Sequence, residues 1–187
     1  ELSDPTSTRQ IVLNTSSDIL SEKDVRIALQ HATNKQNISD GIFYGLEKPA
    51  DTLFAKTIPY CNIDLEPYAY DLEMAGQILD DAGWKMGSGN VREKDGKQLN
   101  IDLLYNSDSV TEKSIAEYLQ SEYQTIGVAL NIHGEEEQSY RDNMKAGNFD
   151  MVFNICWGTP YDPQSSLAAM RAPVYGDFAA QQGLGDK

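Results

Sequence analysis

Metal-binding and redox side chains are scarce in this sequence, which has two cysteines and two histidines among 187 residues. Cys61 and Cys156 lie too far apart for a Cys-x-x-Cys motif, so they read either as one disulfide or as two free thiols. His31 and His133 are likewise separated and build no local metal motif. Positive charge is short too: 15 Lys and Arg stand against 29 Asp and Glu, a net charge of −14. That balance argues against nucleic acid or anionic lipid as partner, since both require a cationic surface, and suits a neutral or cationic ligand. No apolar run approaches the roughly 20 residues needed to cross a bilayer, and no basic-then-apolar leader opens the chain. Gly-x-Gly-x-x-Gly and Walker sequences are absent, and so are repeats and low-complexity tracts, which removes nucleotide-binding, solenoid and linker readings. No nucleophile beside a base, carboxylate pair or metal cluster assembles from local spacing, so a small hydrolase-like α/β enzyme stands only as the alternative of another class.

What is present suits one core. With 40% hydrophobic residues the chain can build a single domain or one lobe of something larger. Residues 1–9 are polar and contain Pro5, so a loose end is expected before a short strand at 11–14. Ser21 is placed to cap a helix from about Lys23, whose stripe of Val25, Ala28, Leu29 and Ala32 faces a core while Arg26 lies off it in solvent. Residues 34–37 break that pattern. Residues 38–44 read as a second short helix stopped by Gly45, and 46–69, with three prolines, as a long ordered connection. Asp71 caps a helix striped by Leu72, Ala75, Leu79 and Ala82 and stopped by Gly83, onto which Trp84 folds back as core. Asp95-Gly96 marks a hairpin turn.

Strands at 99–105, 128–132 and 150–156 then alternate with two helices, the first capped near Ser109 and stopped by Gly127, the second at 138–146. Ile115, Tyr118, Leu119, Tyr123 and Ile126 face inward from the first, Tyr140 and Met144 from the second. Such a β-α-β-α-β order predicts parallel neighbours with right-handed crossovers, hence an α/β sheet whose carboxyl ends gather at one edge. His31, near a helix end, reads as structural, and His133 as a solvated strand end. Glu135, Glu136 and Glu137 open a helix, where successive side chains diverge by about 100° and cannot converge on one ion; their charge suits the helix N-terminus.

Residues 157–163, Trp-Gly-Thr-Pro-Tyr-Asp-Pro, follow the apolar run from Met151 to Cys156 directly. Gly158 and two prolines forbid regular pairing there, so Trp157 and Tyr161 stand on a stiff turn at a strand's carboxyl end, where α/β sheets bind ligands. An isolated Trp-Gly step fits a core cap equally well. Asp162 is placed to cap the helix that Pro163 begins.

That stretch resembles a segment of the nickel-binding members of the peptide/nickel family of extracytoplasmic solute-binding proteins of ABC transporters. Residues 75–84 (AGQILDDAGW) and 24–40 (DVRIALQHATNKQNISD) resemble two further family segments, and 50–59 (ADTLFAKTIP) and 178–184 (FAAQQGL) are closer to nickel binders than to peptide binders. The resemblance implies a type II, two-lobed periplasmic-binding-protein-like fold, of which residues 1–187 are most of the second lobe, a mixed sheet flanked by helices, with 1–9 as a flexible end near the hinge. It implies capture of nickel, as a small-molecule chelate, in a cleft between lobes; a di- or oligopeptide is the alternative ligand. Trp157, Tyr161 and Tyr175 are the expected ligand contacts. Nickel binders of the family have a histidine after a Met-Arg-x-Pro segment, and here Met170-Arg171-Ala172-Pro173 leads to Val174 and Tyr175 in that place. A neutral phenol is a poor nickel ligand, so no residue of this chain is expected to coordinate the metal directly. The resemblance further implies a monomer that works with membrane permease subunits, free in the periplasm or anchored at the cell surface as a lipoprotein, with no catalysis and no cofactor of its own.

Overall fold

Val152 and Phe153 lie next to each other on one strand and are both buried, and a strand with apolar residues on both faces belongs inside a sheet. The computed structural model describes residues 7–54, 56 and 60–157 of the chain. In it, β1 (Ser7–Leu13), β7 (Met151–Trp157), β5 (Asn100–Asn106) and β6 (Ala129–Glu135) form one sheet in that spatial order. β5 pairs in parallel with both β6 and β7, as the alternation of elements predicts, while β1 closes the other side of β7 antiparallel. The sheet is therefore mixed.

One face carries the larger core. Ile101, Leu103, Leu130, Met151 and Phe153 point into it, against α1 (Lys23–His31), α3 (Leu72–Asp81) and α4 (Val110–Thr125), with Ile38 and Ile42 of α2 (Lys35–Ile42) at its margin. Val12, Leu104 and Val152 point the other way, where Tyr140 of α5 (Glu137–Ala146) and Phe149 cover them. Asn14 joins these layers, since its buried amide donates to the carbonyls of Phe149 at 2.8 Å and Gly147 at 3.2 Å. Those bonds fix the turn that leads into β7.

Local signals decide most helix ends. Asp71, Ser109 and Asn34 each accept a hydrogen bond from the backbone N–H three residues on, at 2.9, 3.2 and 2.9 Å. Because Asn34 is such a cap, α2 begins at Lys35 and not at Ile38. Ser21 does not cap α1. Its hydroxyl donates to the Asp18 carbonyl, Glu22 takes the capping position without a side-chain bond, and Arg26 leaves solvent to donate to the carbonyls of Leu20 and Ser21. The turn before α1 is already hydrogen-bonded through Ser17, which leaves Ser21 no free reach to the helix. β1 begins at Ser7, four residues before the expected start, because Ser7 to Gln10 find register partners in Trp157 to Asn154.

β6 also runs on, through His133 and Gly134 to Glu135. A Cβ at Gly134 would sit 2.7 Å from the Tyr105 ring, so the glycine admits that ring as a neighbour and does not end the strand. Cys61 is a half-buried free thiol. His31 does serve structure: its Nδ1 lies 2.7 Å from the Ala69 carbonyl, and Tyr68 meets its ring edge-on.

Trp84 is core, 2% exposed, and immediately precedes a second small sheet of β2 (Lys85–Met86), β3 (Arg92–Lys94) and β4 (Lys97–Gln98). Asp95 and Gly96, both left-handed with φ of 52° and 78°, make the turn between β3 and β4. Arg92 binds this module to the main core. Its buried guanidinium donates to the carbonyls of Ile126 and Trp84 at 2.7 and 2.6 Å and to Asp80 at 2.9 Å, and that last bond holds the Asp80 carboxyl below its usual range.

Arg92→Ala strands two buried carbonyls, so urea unfolding is expected to show a loss of about 3–5 kcal/mol. Asp80→Asn, at a side chain 41% exposed, is expected to cost far less. An Arg92→Ala protein as stable as its parent would show that the clamp carries no stability.

Candidate functional site

Parallel strands deliver their carboxyl ends to one side of a sheet, and the loops that leave there are free to meet a ligand. Here β5 ends at Asn106, β6 at Glu135 and β7 at Trp157. Asn106 is level with Glu135, and Gln10 with Asn154. Continuing the β5–β7 register of Leu104 with Val152 brings Asn106 beside Asn154 as well. A polar row of Gln10, Asn154, Asn106 and Glu135 therefore crosses all four strands, on the face that α5 covers. Three residues beyond Asn154, the backbone of Trp157 is paired with Ser7.

Asn106 is the centre of the row. Its backbone N–H donates to Glu112 at 2.9 Å and its carbonyl accepts from Ser109 N–H at 2.9 Å. Its side-chain oxygen accepts from Asp108 N–H at 3.0 Å, and its amide donates to Glu137. Ser107 N–H reaches the Glu135 carbonyl at 2.8 Å. One asparagine thus ties the β5–α4 loop to the first turns of α4 and α5. Burial raises the Glu112 carboxyl above its usual range; the Asn106 N–H and Arg9 pull it down, and Glu137 adds to the rise. Burial, reinforced by Glu112 and Glu137, also raises the Tyr140 phenol, which donates to the Phe153 carbonyl at 2.6 Å.

Of the three expected ligand contacts, only Trp157 is placed, by its backbone at the end of β7; Tyr161 and Tyr175 lie outside the described residues, as does Asp162. The acidic run divides by role. Glu135 ends β6 and accepts from Ser139 and Asn143, Glu136 is the N-cap residue without a side-chain bond, and Glu137 accepts from Asn106 and Arg141. The Glu135 and Glu137 carboxylates hold local structure, and among the described residues no group of three or more His, Cys, Asp or Glu is placed to hold a metal ion. Asn106 reads in the sequence only as the start of the segment, 106–109, that caps α4, and Glu112 has no role there. Their one signal was position, a polar residue closing an apolar strand and a Glu three residues after a serine cap.

A hollow of about 370 Å³ lies on the α5 side among Asn14, Asp102, His133, Phe149 and Asp150. Asp102 accepts there from Asn131 at 3.0 Å and lies 3.2 Å from His133 Nε2, so this histidine is paired and not merely solvated. Among the described residues no helix is long and apolar enough to cross a membrane.

Residues 1–177 match the family described as bacterial extracellular solute-binding proteins, family 5 Middle. The chain is 42% identical over its whole length to the nickel-binding periplasmic protein of Escherichia coli K12, of which it covers 36%. NikA from Brucella suis, crystallised in complex with Fe(III)-EDTA, superposes with a TM-score of 0.90 at 43% identity, over all of this chain and 38% of that one. NikZ from Campylobacter jejuni, crystallised with Ni(L-His), superposes with a TM-score of 0.82 at 25% identity, over 96% of this chain and 35% of that one. The chain thus spans little more than a third of the length of these relatives.

Because burial raises the Glu112 carboxyl, the folded state holds that proton more tightly than the unfolded chain, and ionising it costs stability. The cost is absent below the unfolded pKa and grows as pH rises through the raised folded value. Glu112→Gln keeps an acceptor for Asn106 N–H without the charge. Its melting temperature is expected to match the parent at about pH 3 and exceed it at pH 7, by about 2–4 °C per kcal/mol recovered. A difference that does not change with pH would contradict the burial argument.

Proposed function

Since this chain belongs to the bacterial extracellular solute-binding proteins, family 5, we propose that it forms most of the second lobe of the ligand-capture protein of an ABC import system. Its ligand on this reading is nickel, delivered as a small-molecule chelate into a cleft that closes about a hinge between two lobes. The observation that carries the reading is identity to a nickel-binding periplasmic protein along the entire chain, and the same likeness supports an extracytoplasmic location. The function assigned is capture and delivery, with no chemical step. Permease subunits in the membrane receive the ligand, and the capture protein acts as a monomer.

A chelate is favoured over the bare ion on chemical grounds. Nickel(II) prefers imidazole, thiolate and similar donors, whereas Tyr175 occupies the place where a histidine is expected and the chain's two histidines are both engaged elsewhere. Two of the relatives hold their metal inside an organic ligand, EDTA in one and histidine in the other. A metal wrapped in its own donors presents a rim of carboxylates and amines, which stacking and hydrogen bonds recognise without a protein–metal bond. Trp157 and Tyr161 would stack on the chelate, and Tyr175 would donate its hydroxyl proton to a carboxylate of it. Position supports the choice of Trp157, which ends the one strand that is hydrogen-bonded on both sides and runs in parallel with β5.

Calorimetry on a polypeptide of the relatives' full length is the direct test, with nickel alone, the nickel–histidine complex, and di- and oligopeptides as titrants. Tight uptake of the complex, weak uptake of nickel alone and none of the peptides is expected; uptake of peptides without the complex would transfer the reading to peptide capture. Trp157→Ala is expected to weaken binding of the complex by about 0.5–1.5 kcal/mol beyond the lost contact area, with the melting temperature unchanged. If the melting temperature falls and binding does not, Trp157 is a core residue. Tyr175→His is expected to strengthen uptake of incompletely chelated nickel and leave the saturated complex unaffected.

A further inference from the structure

Among the described residues β6 pairs with β5 alone, so it is an edge of the main sheet. Its ladder fixes which backbone groups are left over. Ala129 N–H donates to the Leu99 carbonyl at 3.0 Å, and the Glu135 carbonyl accepts from Ser107 N–H at 2.8 Å. The odd-numbered residues of β6 therefore bond to β5, and the even-numbered ones turn their N–H and C=O groups outward. Gln120 closes the near end, donating from its side-chain amide to the Leu130 carbonyl at 2.7 Å. Ile132 and Gly134 remain. Their outward groups meet no described strand, and Gly134 and its neighbour His133 are exposed, so this end of the edge is uncovered. A strand edge in that state is a template for a further strand.

The same end of β6 borders the hollow on the α5 side, which Asp102 of β5, His133 of β6 and Asp150 share with the apolar Leu104 and Phe149. No Lys or Arg lines it. Glu135, also at its wall, is already engaged by Ser139 and Asn143. Asp102 accepts from Asn131 and meets His133, and Asp150 accepts from Asp102 N–H at 3.0 Å. Among the described residues neither aspartate is paired with a Lys or Arg, and the Asp102 and His133 side chains are each more than half exposed. The hollow thus offers negative charge that solvent, or a side chain arriving from solvent, can reach.

We propose that the open end of β6 and this hollow form one docking site for an extended, basic segment of a partner protein, whose main chain pairs with Ile132 and Gly134 while a Lys or Arg side chain enters the hollow. Neighbouring strands lie about 4.8 Å apart, so a strand added to β6 runs about 10 Å from β5. A Lys or Arg side chain and the Asp102 carboxylate bridge that span between them. The strand edge pairs with any main chain, and the hollow selects the side chain. Charge decides the occupant. A second copy of β6 would bring its own Glu135 and no Lys or Arg, in a chain whose net charge is −14. The site lies two strands from β7, and it is independent of which ligand Trp157 meets.

Hydrogen exchange read by NMR, with calorimetry, tests this on the metal-free, full-length polypeptide, using a heptapeptide of alternating Lys and Thr as probe. Without peptide, the Ile132 and Gly134 amides are expected to exchange at least about tenfold faster than those of Asn131 and His133, and with saturating peptide to become as slow. A peptide N-methylated at the amides on one edge and a Glu–Thr counterpart are each expected to bind at least about tenfold more weakly, as is the Lys–Thr peptide to Asp102→Asn. Should that variant fail to fold, the two control peptides still decide. Equal binding of the N-methylated peptide would overturn strand addition in favour of a bare ion contact, and equal binding of the Glu–Thr peptide would overturn the role of the hollow. Slow exchange at Ile132 and Gly134 in the peptide-free monomer would overturn the site outright, because the edge would already be covered. Protection that rises with protein concentration would overturn it in favour of a second copy.

Discussion

The constraint on which the rest of this structure depends is the interior position of β7. Its backbone is hydrogen-bonded to β1 on one side and to β5 on the other, and Met151, Val152 and Phe153 point apolar side chains into both faces of the sheet. Buried backbone groups must be paired, and β1 supplies the side that the parallel crossovers leave open. The two strands run in opposite directions, so the start of β1 and the end of β7 come to the same edge. Moving either by one residue would turn Val152 and Phe153 to the wrong layers. Asn14 guards against such a slip by gripping the carbonyls of Gly147 and Phe149 just before β7 begins.

Around that strand the molecule divides into a larger apolar layer and a smaller, more polar one. The large core is backed by α1, α3 and α4, and Arg92 fastens the small sheet to it through two carbonyls and Asp80. Trp84 closes the same region, with Glu22 receiving both its indole N–H and the Lys94 ammonium. On the opposite face, among the described residues, α5 covers few apolar residues, and polar groups prevail. Buried polar groups specify geometry when each has a partner. Asn106 meets that condition, with both backbone groups and both side-chain groups engaged. The carboxyl edge is therefore preorganised at the β5–α4 loop, next to the strand that carries Trp157.

For the capture role proposed above, such an arrangement would have a use. A ligand that brings its own donor atoms to a metal needs from the protein a fixed outline and a few aimed hydrogen bonds, and fixed outlines come from strand ends held by paired polar groups. The carboxylates near the edge are consistent with this division of labour: Glu112, Glu135 and Glu137 are each spent on loop and helix contacts, so the negative charge of the region is structural.

Periodicity and turn chemistry determined the local elements. The stripes of α1, α3 and α4, the caps at Asp71 and Ser109, the Asp95-Gly96 turn and the burial of Trp84 were all legible, because each depends on residues within one or two helical turns of one another. The order of strands and helices also fixed the parallel pairing, since crossovers of that length admit little else. Ser21 and Arg26 misled because a neighbouring turn, itself set by Ser17, had already claimed the positions their local pattern suggested. The extension of β1 to Ser7, the passage of β6 through Gly134 and the convergence of Gln10, Asn154, Asn106 and Glu135 were decided by tertiary structure alone. Each of these depends on a partner that lies distant in sequence, and which strand lies beside which is not written in the spacing of either one.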